Sequence, residues 1–429
     1  MRLSRYVKIF PYSKDHDYLL FFSTRKASKI LLHKSILKSL DRGDISPSDE
    51  RTLSRLGFLV TDLDEEKKEM LGILDAANRR INKFTAIVVM NLDCNLSCRY
   101  CYEGGMKGKF YMSSGTANQL VGFIERFHLN EGRSVEVDFY GGEPLLSPGL
   151  IKDISGRLKA SAEERGLEFA FNLVTNGTLL TAEKAGELKP LGLKGARITL
   201  DGPRENHDFF RPFKSGSGTF DPIIRNIREV CEAVRIQLGG NYTRENYVRF
   251  PDLLDYFLAE GLTPDKVRIV KFDPVTKTRG DSALPDFVEG SESISEPWLF
   301  EASMFLRGEI LKRGYETLRI SPSPCMVELR NNIVVHFDGT LYKCPGMIGW
   351  KGFETGDLKT GVKDYRTSLD LDIWKNDECL ECAYLPVCFG GCRYMRLLRD
   401  GKIGTDCRKP YLDATLETMI KQDATLTWK

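Results

Sequence analysis

Asn91-Leu-Asp-Cys-Asn-Leu-Ser-Cys-Arg-Tyr-Cys-Tyr-Glu103 is the stretch on which the reading of this chain turns. It sets thiols at Cys94, Cys98 and Cys101, a C-x3-C-x2-C spacing, directly behind the apolar run Thr85–Met90. Three cysteines this close suit three corners of one cubane iron–sulfur cluster and leave its fourth iron without a protein ligand. Zinc would normally take a fourth protein ligand, and the neighbouring sequence offers none.

Working outward, the bulk numbers narrow the class. The 429 residues suffice for two or three domains. A net charge of +2 gives no global reason to expect nucleic acid or a membrane as partner. The charge is uneven, with twelve Lys and Arg against six Asp and Glu in residues 1–60. Of eleven cysteines, seven fall between Cys325 and Cys407. An odd total, no apolar signal segment and no bilayer-length run favour metal-bound thiolates in a reducing cytoplasm over disulfides.

Six strand-like runs follow one another: Thr85–Met90, Ser134–Tyr140, Phe169–Thr175, Ala196–Asp201, Arg235–Gly240 and Lys266–Phe272. Segments of helical periodicity separate them, which predicts an α/β fold with a parallel sheet joined by right-handed crossovers. In such barrels chemistry gathers at the carboxyl ends of the strands. Gly141-Gly142-Glu143-Pro144 sits at one such end, Thr175-Asn176-Gly177-Thr178 at the next, and Asp201-Gly202-Pro203 at the one after. Two adjacent glycines suit close backbone approach to a ligand, and a glutamate suits a cation. His207 to Pro212 follows, with Arg211 either reaching a carboxylate of a ligand or pairing with Asp208. Arg235, Gln237, Asn241 and Lys271 are further polar candidates, and Cys231, in a helical pattern, reads as a structural cysteine.

The cysteine triad and the Gly-Gly-Glu-Pro turn together resemble radical SAM enzymes. The resemblance implies a partial (β/α)6 barrel over residues 85–275. It implies a [4Fe–4S] cluster on Cys94, Cys98 and Cys101 whose open iron chelates S-adenosylmethionine (SAM). It also gives Gly141 to Pro144 the methionine amino group, and Thr175 and Asn176 the ribose and carboxylate. Tyr100, Tyr102, Asp201 and Arg211 join them as expected cofactor contacts.

Before the barrel, Tyr18–Phe22 and Ser28–Leu32 read as a hairpin and Lys34–Leu40 as a short helix. Ser46-Pro47-Ser48-Asp49 reads as a helix start, and Phe58-Leu59-Val60 as a returning strand. Residues 1–63 are thus similar to the winged-helix-like lobes of enzymes that modify ribosomal peptides. That similarity implies binding of a leader peptide as an added strand, and the surplus of positive charge would suit an acidic one. A structural extension or a dimerisation lobe is the other reading. Residues 64–84 are expected to be a connecting helix, and 276–320 a linker with a helix over Trp298–Arg313.

The end of the chain, residues 321–429, carries Cys325, Cys344, then Cys379-x2-Cys382-x5-Cys388-x3-Cys392, and finally Cys407. C-x2-C pairs also suit zinc, but the pattern resembles the SPASM domain of radical SAM peptide maturases. The resemblance implies two auxiliary [4Fe–4S] clusters. One would be held by Cys379, Cys382, Cys388 and Cys407, the other by Cys325, Cys344 and Cys392, with one iron left for an outside ligand.

The expected function is maturation of a ribosomally made precursor peptide, with SAM cleaved reductively and a Cys sulfur-to-carbon thioether formed. A flavodoxin or ferredoxin would supply electrons to three [4Fe–4S] clusters. Carbon–carbon or carbon–oxygen cross-linking and sulfatase-type formylglycine formation are alternatives, the last weakened by Pro345 where that activity has an aspartate. An iron–sulfur scaffold or electron carrier is the non-enzyme alternative.

Overall fold

The computed structural model describes residues 1–101, 103–277 and 290–427. Tyr102 and residues 278–289 of the expected linker therefore lie outside the described residues. The chain starts with β1 (Arg2–Leu3), β2 (Val7–Pro11), β3 (Tyr18–Ser23) and β4 (Lys29–His33), then α1 (Ser35–Arg42), α2 (Pro47–Arg55) and β5 (Leu59–Val60). β2, β3 and β4 form an antiparallel meander. Ser46 caps α2 by accepting from the Asp49 amide at 3.1 Å, and Pro47 takes the first helical position, where its missing N–H costs nothing. Alternation gives the meander two apolar faces. Leu19, Phe21, Ile30 and Leu32 cover the lobe's own core around Leu53 and Phe58.

The returning strand β5 pairs antiparallel with β1. The connecting segment is two helices, α3 (Leu63–Leu71) and α4 (Ile73–Arg80), interrupted at Gly72.

The barrel comprises β6 (Lys83–Val89), α5 (Ser114–Phe127), β7 (Ser134–Tyr140), α6 (Pro148–Glu163), β8 (Phe169–Thr175), α7 (Ala182–Leu188), β9 (Leu193–Thr199), α8 (Arg204–Phe210), α9 (Phe220–Val230), β10 (Arg235–Tyr242), α10 (Phe250–Ala259) and β11 (Ile269–Pro274). All six strands run parallel in sequence order. In β7, Val135, Val137 and Phe139 are buried, while Glu136, Asp138 and Tyr140 between them are only partly so. The apolar set joins the core with α5 residues Ala117, Leu120, Val121 and Ile124, which share one helical face. The polar set lines the lumen.

After α11 (Pro297–Lys312), β12 (Asn332–Val335) adds to β6 in parallel, and β13 (Thr340–Tyr342), β14 (Gly356–Asp357) and β15 (Gly361–Val362) extend it to a ten-stranded sheet. The cysteine-rich end is therefore hydrogen-bonded into the barrel sheet. It finishes with α12 (Asp377–Leu380), α13 (Leu385–Cys388), α14 (Arg393–Asp400) and α15 (Lys409–Thr427). The far face of the meander, with Phe10, Leu20 and Phe22, packs on Leu412, Leu416 and Ile420 of α15. No helix among the described residues is long and apolar enough to cross a membrane.

Candidate active site

The loop after β6 carries the first three thiols and is stitched down on three sides. The Met90 amide donates to Tyr140 O at 2.8 Å, Ser97 to Pro212 O at 2.8 Å and Arg99 to Phe210 O at 3.0 Å. The two glycines after β7 complete the clamp. A side chain at Gly141 would collide with the Asn91 carbonyl oxygen, and one at Gly142 with that of Asp93. Gly142 N and Glu143 N donate to these same two carbonyls at 3.0 and 2.8 Å. The close approach that requires glycine here is made to the cysteine loop itself.

Glu143 faces inward and is fully buried. Its Oε1 accepts from Thr175 Oγ1 at 2.7 Å and Leu145 N at 3.0 Å, and its Oε2 from Asn176 N at 2.8 Å. Burial raises its pKa, with those donors opposing the rise. Glu143 thereby ties the β7 turn to the β8 turn. Asn176 passes the tie on, its Nδ2 lying 3.8 Å from Cys94 Sγ and 2.8 Å from Asn95 Oδ1. Leu96 N donates to Cys94 Sγ as well, at 3.4 Å.

Tyr100 does the same for the next two strands. Its hydroxyl accepts from Arg211 Nη1 at 2.8 Å and Asn241 Nδ2 at 3.0 Å, and donates to Asp201 Oδ2. Asp201 Oδ1 takes the Asn241 amide at 2.7 Å. Arg211 does not pair with Asp208, whose Oδ1 instead accepts from the Thr219 and Phe220 amides at the start of α9. His207 Nδ1 accepts from Asp201 N at 3.1 Å. Its Nε2 stands 2.9 Å from Thr219 Oγ1, which spends its own proton on Arg211 O. His207 is therefore the neutral Nε2–H tautomer, in line with burial and Arg211 both lowering its pKa.

These groups surround a cavity of about 340 Å³ at the carboxyl ends of the barrel strands. Cys94, Cys98 and Cys101 line it, as do Tyr100, Gly141, Gly142, Thr175, Asn176 and Arg211. Glu143, Pro144 and Asp201 stand behind its wall, and Tyr102 lies outside the described residues. Gln237, Asn241 and Lys271 line it as expected from the sequence. Arg235 does not: it is the first residue of β10, at the opposite end, and is exposed. Cys231 is buried at the end of α9, its thiol 3.6 Å from Arg228 O. Lys107, Arg197, Thr199 and Asp273 also line the cavity. Period-two alternation on β9 and β11 was the signal that marks the last three.

The three thiols gather in one apolar pocket with Leu96 and Phe213. Burial raises the pKa of each, and the neighbouring thiols add to the rise. Burial opposes the charge on Lys107, yet Cys101, Cys98 and Cys94 prevail and raise its pKa. Arg211 behaves alike, raised by Cys98, Tyr100 and Asp201 against its burial, and its buried Nε has no hydrogen-bond partner among the described residues. Such thiols stay protonated until a cation replaces the proton. The donor set thus fits an iron–sulfur cluster, with Lys107 and Arg211 offsetting its negative charge. Among the described residues, no three His, Cys, Asp or Glu side chains converge closely enough for a single metal ion. In a cubane each thiolate meets a different iron, so its ligands stand apart.

The other seven thiols fall into two groups. Burial raises Cys344 to about 12, with Cys325 and Cys392 adding to it. Cys379 is raised by burial and then by Cys388, Cys382 and Cys407, and Cys388 likewise by burial and Cys407. Arg393, next to Cys392, forms a buried ion pair with Glu328, three residues after Cys325. Cys379 and Cys382 are bounded by residues of the N-terminal lobe.

Residues 88–256 match the Radical SAM superfamily. A Fe-coproporphyrin III synthase of Methanosarcina barkeri is 32% identical over 213 residues, 48% of each chain, so the chain spans about half of that relative. A cysteine-type anaerobic sulfatase-maturating enzyme of Clostridium novyi is 24% identical over 332 residues, covering 70% of this chain and 85% of its own. Among solved structures, anSMEcpe with AdoMet and the Kp18Cys peptide superposes with a TM-score of 0.63 at 19% identity, covering 79% of this chain and 98% of that one. Streptococcus suis SuiB bound to the precursor peptide SuiA gives 0.54 at 14%, covering 94% and 98%. The match begins within β6 and ends within α10, spanning the thiol loop and the strand ends around the cavity: this part of the chain is a Radical SAM domain.

Proposed function

We propose that the enzyme matures a ribosomally made precursor peptide by joining a cysteine sulfur to a carbon of the same peptide. Its ten grouped thiols would hold three [4Fe–4S] clusters, and the N-terminal lobe would take the leader segment. The observation that carries this reading is the grouping itself. Cys94, Cys98 and Cys101 form a set of three, Cys325, Cys344 and Cys392 another, and Cys379, Cys382, Cys388 and Cys407 a set of four. The inner auxiliary set, one thiol short of a cubane's four corners, leaves a place for a ligand from outside the chain. A substrate cysteine is the ligand we assign to it.

A cluster and SAM bound here would supply a 5′-deoxyadenosyl radical to take a hydrogen atom from the substrate carbon. As sulfur and carbon join, the thiol would lose its proton and the surplus electron would pass to an auxiliary cluster. The chain's own residues prepare the place. Arg211 Nε, without a partner among the described residues, would donate to the SAM carboxylate. Asn176 and the Leu96 amide donate to the Cys94 sulfur, which favours its thiolate form. Arg197, Gln237, Lys271 and Asp273 offer polar anchors for a peptide on the far wall of the cavity. Support for a peptide substrate comes from the two peptide-bound structures whose fold this chain shares. A flavodoxin or ferredoxin is the proposed reductant.

Formylglycine formation is the second reading, favoured by the Clostridium novyi relative. Pro345 after Cys344 stands against it, since no carboxylate follows that thiol. The test is mass analysis of a precursor peptide after anaerobic reaction with SAM and a reductant. The expected product is lighter by two hydrogen atoms and has lost one alkylatable thiol. A product that keeps all its thiols points to a carbon–carbon or carbon–oxygen link, and an unchanged mass contradicts the proposal.

A further inference from the structure

The N-terminal lobe lies on the outer thiols as well as beside them. Four consecutive residues, Leu380 to Ala383, lie between Cys379 and Tyr384, and three of them are held by the lobe. Tyr6 Oη donates to Leu380 O at 3.2 Å. Thr24 Oγ1 donates to Ala383 O at 2.6 Å. Glu381 pairs with Arg5 and with Lys67, the latter at 2.9 Å. The apolar contacts repeat the pattern. Cys379 packs against the apolar cluster to which the lobe gives Tyr6 and the connecting helices give Met70 and Leu74, and Cys382 against the cluster to which the lobe gives Phe10, Leu20 and Phe22.

Tyr6 and Thr24 are both fully buried, and the Thr24 amide donates to Tyr6 O at 2.9 Å. The two donors are thus locked to each other before they meet the loop. On the other side, Trp374 and Phe389 wall the same loop and are equally buried. A loop so enclosed cannot rearrange without undocking the lobe.

We propose that the lobe is a built-in wall of the outer thiol site, with Tyr6 and Thr24 as positioning residues that fix the carbonyls flanking Cys382. A leader-binding lobe would then also be what holds two outer ligands in register and shields them from solvent. This inference rests on reading Cys379, Cys382, Cys388 and Cys407 as one cluster's ligands.

The test uses anaerobically reconstituted holoenzyme, with iron release to a chelator and the electron paramagnetic resonance spectrum of the reduced outer cluster as readouts. Tyr6→Phe and Thr24→Val each remove one hydroxyl while keeping shape. Each should speed loss of the outer irons about fivefold, the order one buried hydrogen bond supplies, and shift the outer cluster's signal. Ser46→Ala removes the cap of α2 and loosens the lobe away from the loop, and it should leave the signal unshifted. Wild-type release and spectrum in both hydroxyl variants would overturn the inference. So would equal changes in Ser46→Ala, which would make them a general loosening. Iron missing from the outer set of the unsubstituted enzyme would overturn the ligand reading, and this inference with it.

Discussion

Tyr100 shows how much one hydroxyl can carry. It joins the thiol loop to Asp201, Arg211 and Asn241, groups that come from three separate stretches of chain. Tyr100→Phe leaves Asp201 Oδ2 without the Tyr100 hydroxyl and Arg211 with one bond fewer. The expected cost is about 1–3 kcal/mol of stability, seen as a lower melting temperature, together with weaker SAM binding by calorimetry. His128 makes a pH prediction at the same scale. Its ring stacks on Phe84 at 3.5 Å, and burial, with Arg133 and Lys343, lowers its pKa to about 3. The unfolded chain takes up that proton near pH 6.5 while the folded one refuses it. Stability from this group is therefore full above about pH 6.5 and falls by about 1.4 kcal/mol per unit on the way down to pH 3. His128→Phe keeps the stack and should flatten that fall in urea titrations. Neither residue was singled out for its packing by the sequence, because a hydroxyl's partners and a ring's neighbours are set by distant strands.

At the scale of elements, the parallel strands were legible because their apolar runs alternate with helical periodicity, and four of the six overlap the expected runs closely, while β11 begins three residues later than expected, at Ile269. β9 starts earlier than expected, at Leu193, because Lys194 and Arg197 point off the core and break the apolar run. β2 was not read as a strand, since Val7-Lys-Ile-Phe-Pro is short and proline-ended, and only pairing with β3 makes it one. The Gly141–Gly142 turn was placed correctly, but its partner was not visible: the surface it approaches is Asn91 and Asp93, fifty residues upstream. Gly142→Ala should displace the thiol loop, costing about 1–3 kcal/mol as overpacking does. Iron bound by Cys94, Cys98 and Cys101 should then fall while that of the other seven thiols stays, as read by metal analysis against a Cys98→Ala reference.

Across the whole molecule, the chain is continuous where the sequence suggested separate parts. β12 extends the barrel sheet, and the N-terminal meander spends one face on its own helices and the other on α15. Phe21 and Leu31 belong to those two packed faces, so changing them should unfold the lobe. An edge of the meander is what remains for a peptide strand. Composition could not reveal this, because an apolar strand buried on both faces reads like one buried on one.

The central claim is that ten thiols form two sets of three and one of four, and that the inner auxiliary set of three takes its missing ligand from outside the chain. Iron and sulfide counts on anaerobically isolated enzyme, alongside Cys344→Ala, test it most directly. The account predicts about twelve irons for the wild type, with only the inner auxiliary set lost in the variant and SAM cleavage without substrate retained. Zinc in place of iron, or loss of all three sets together, would contradict it.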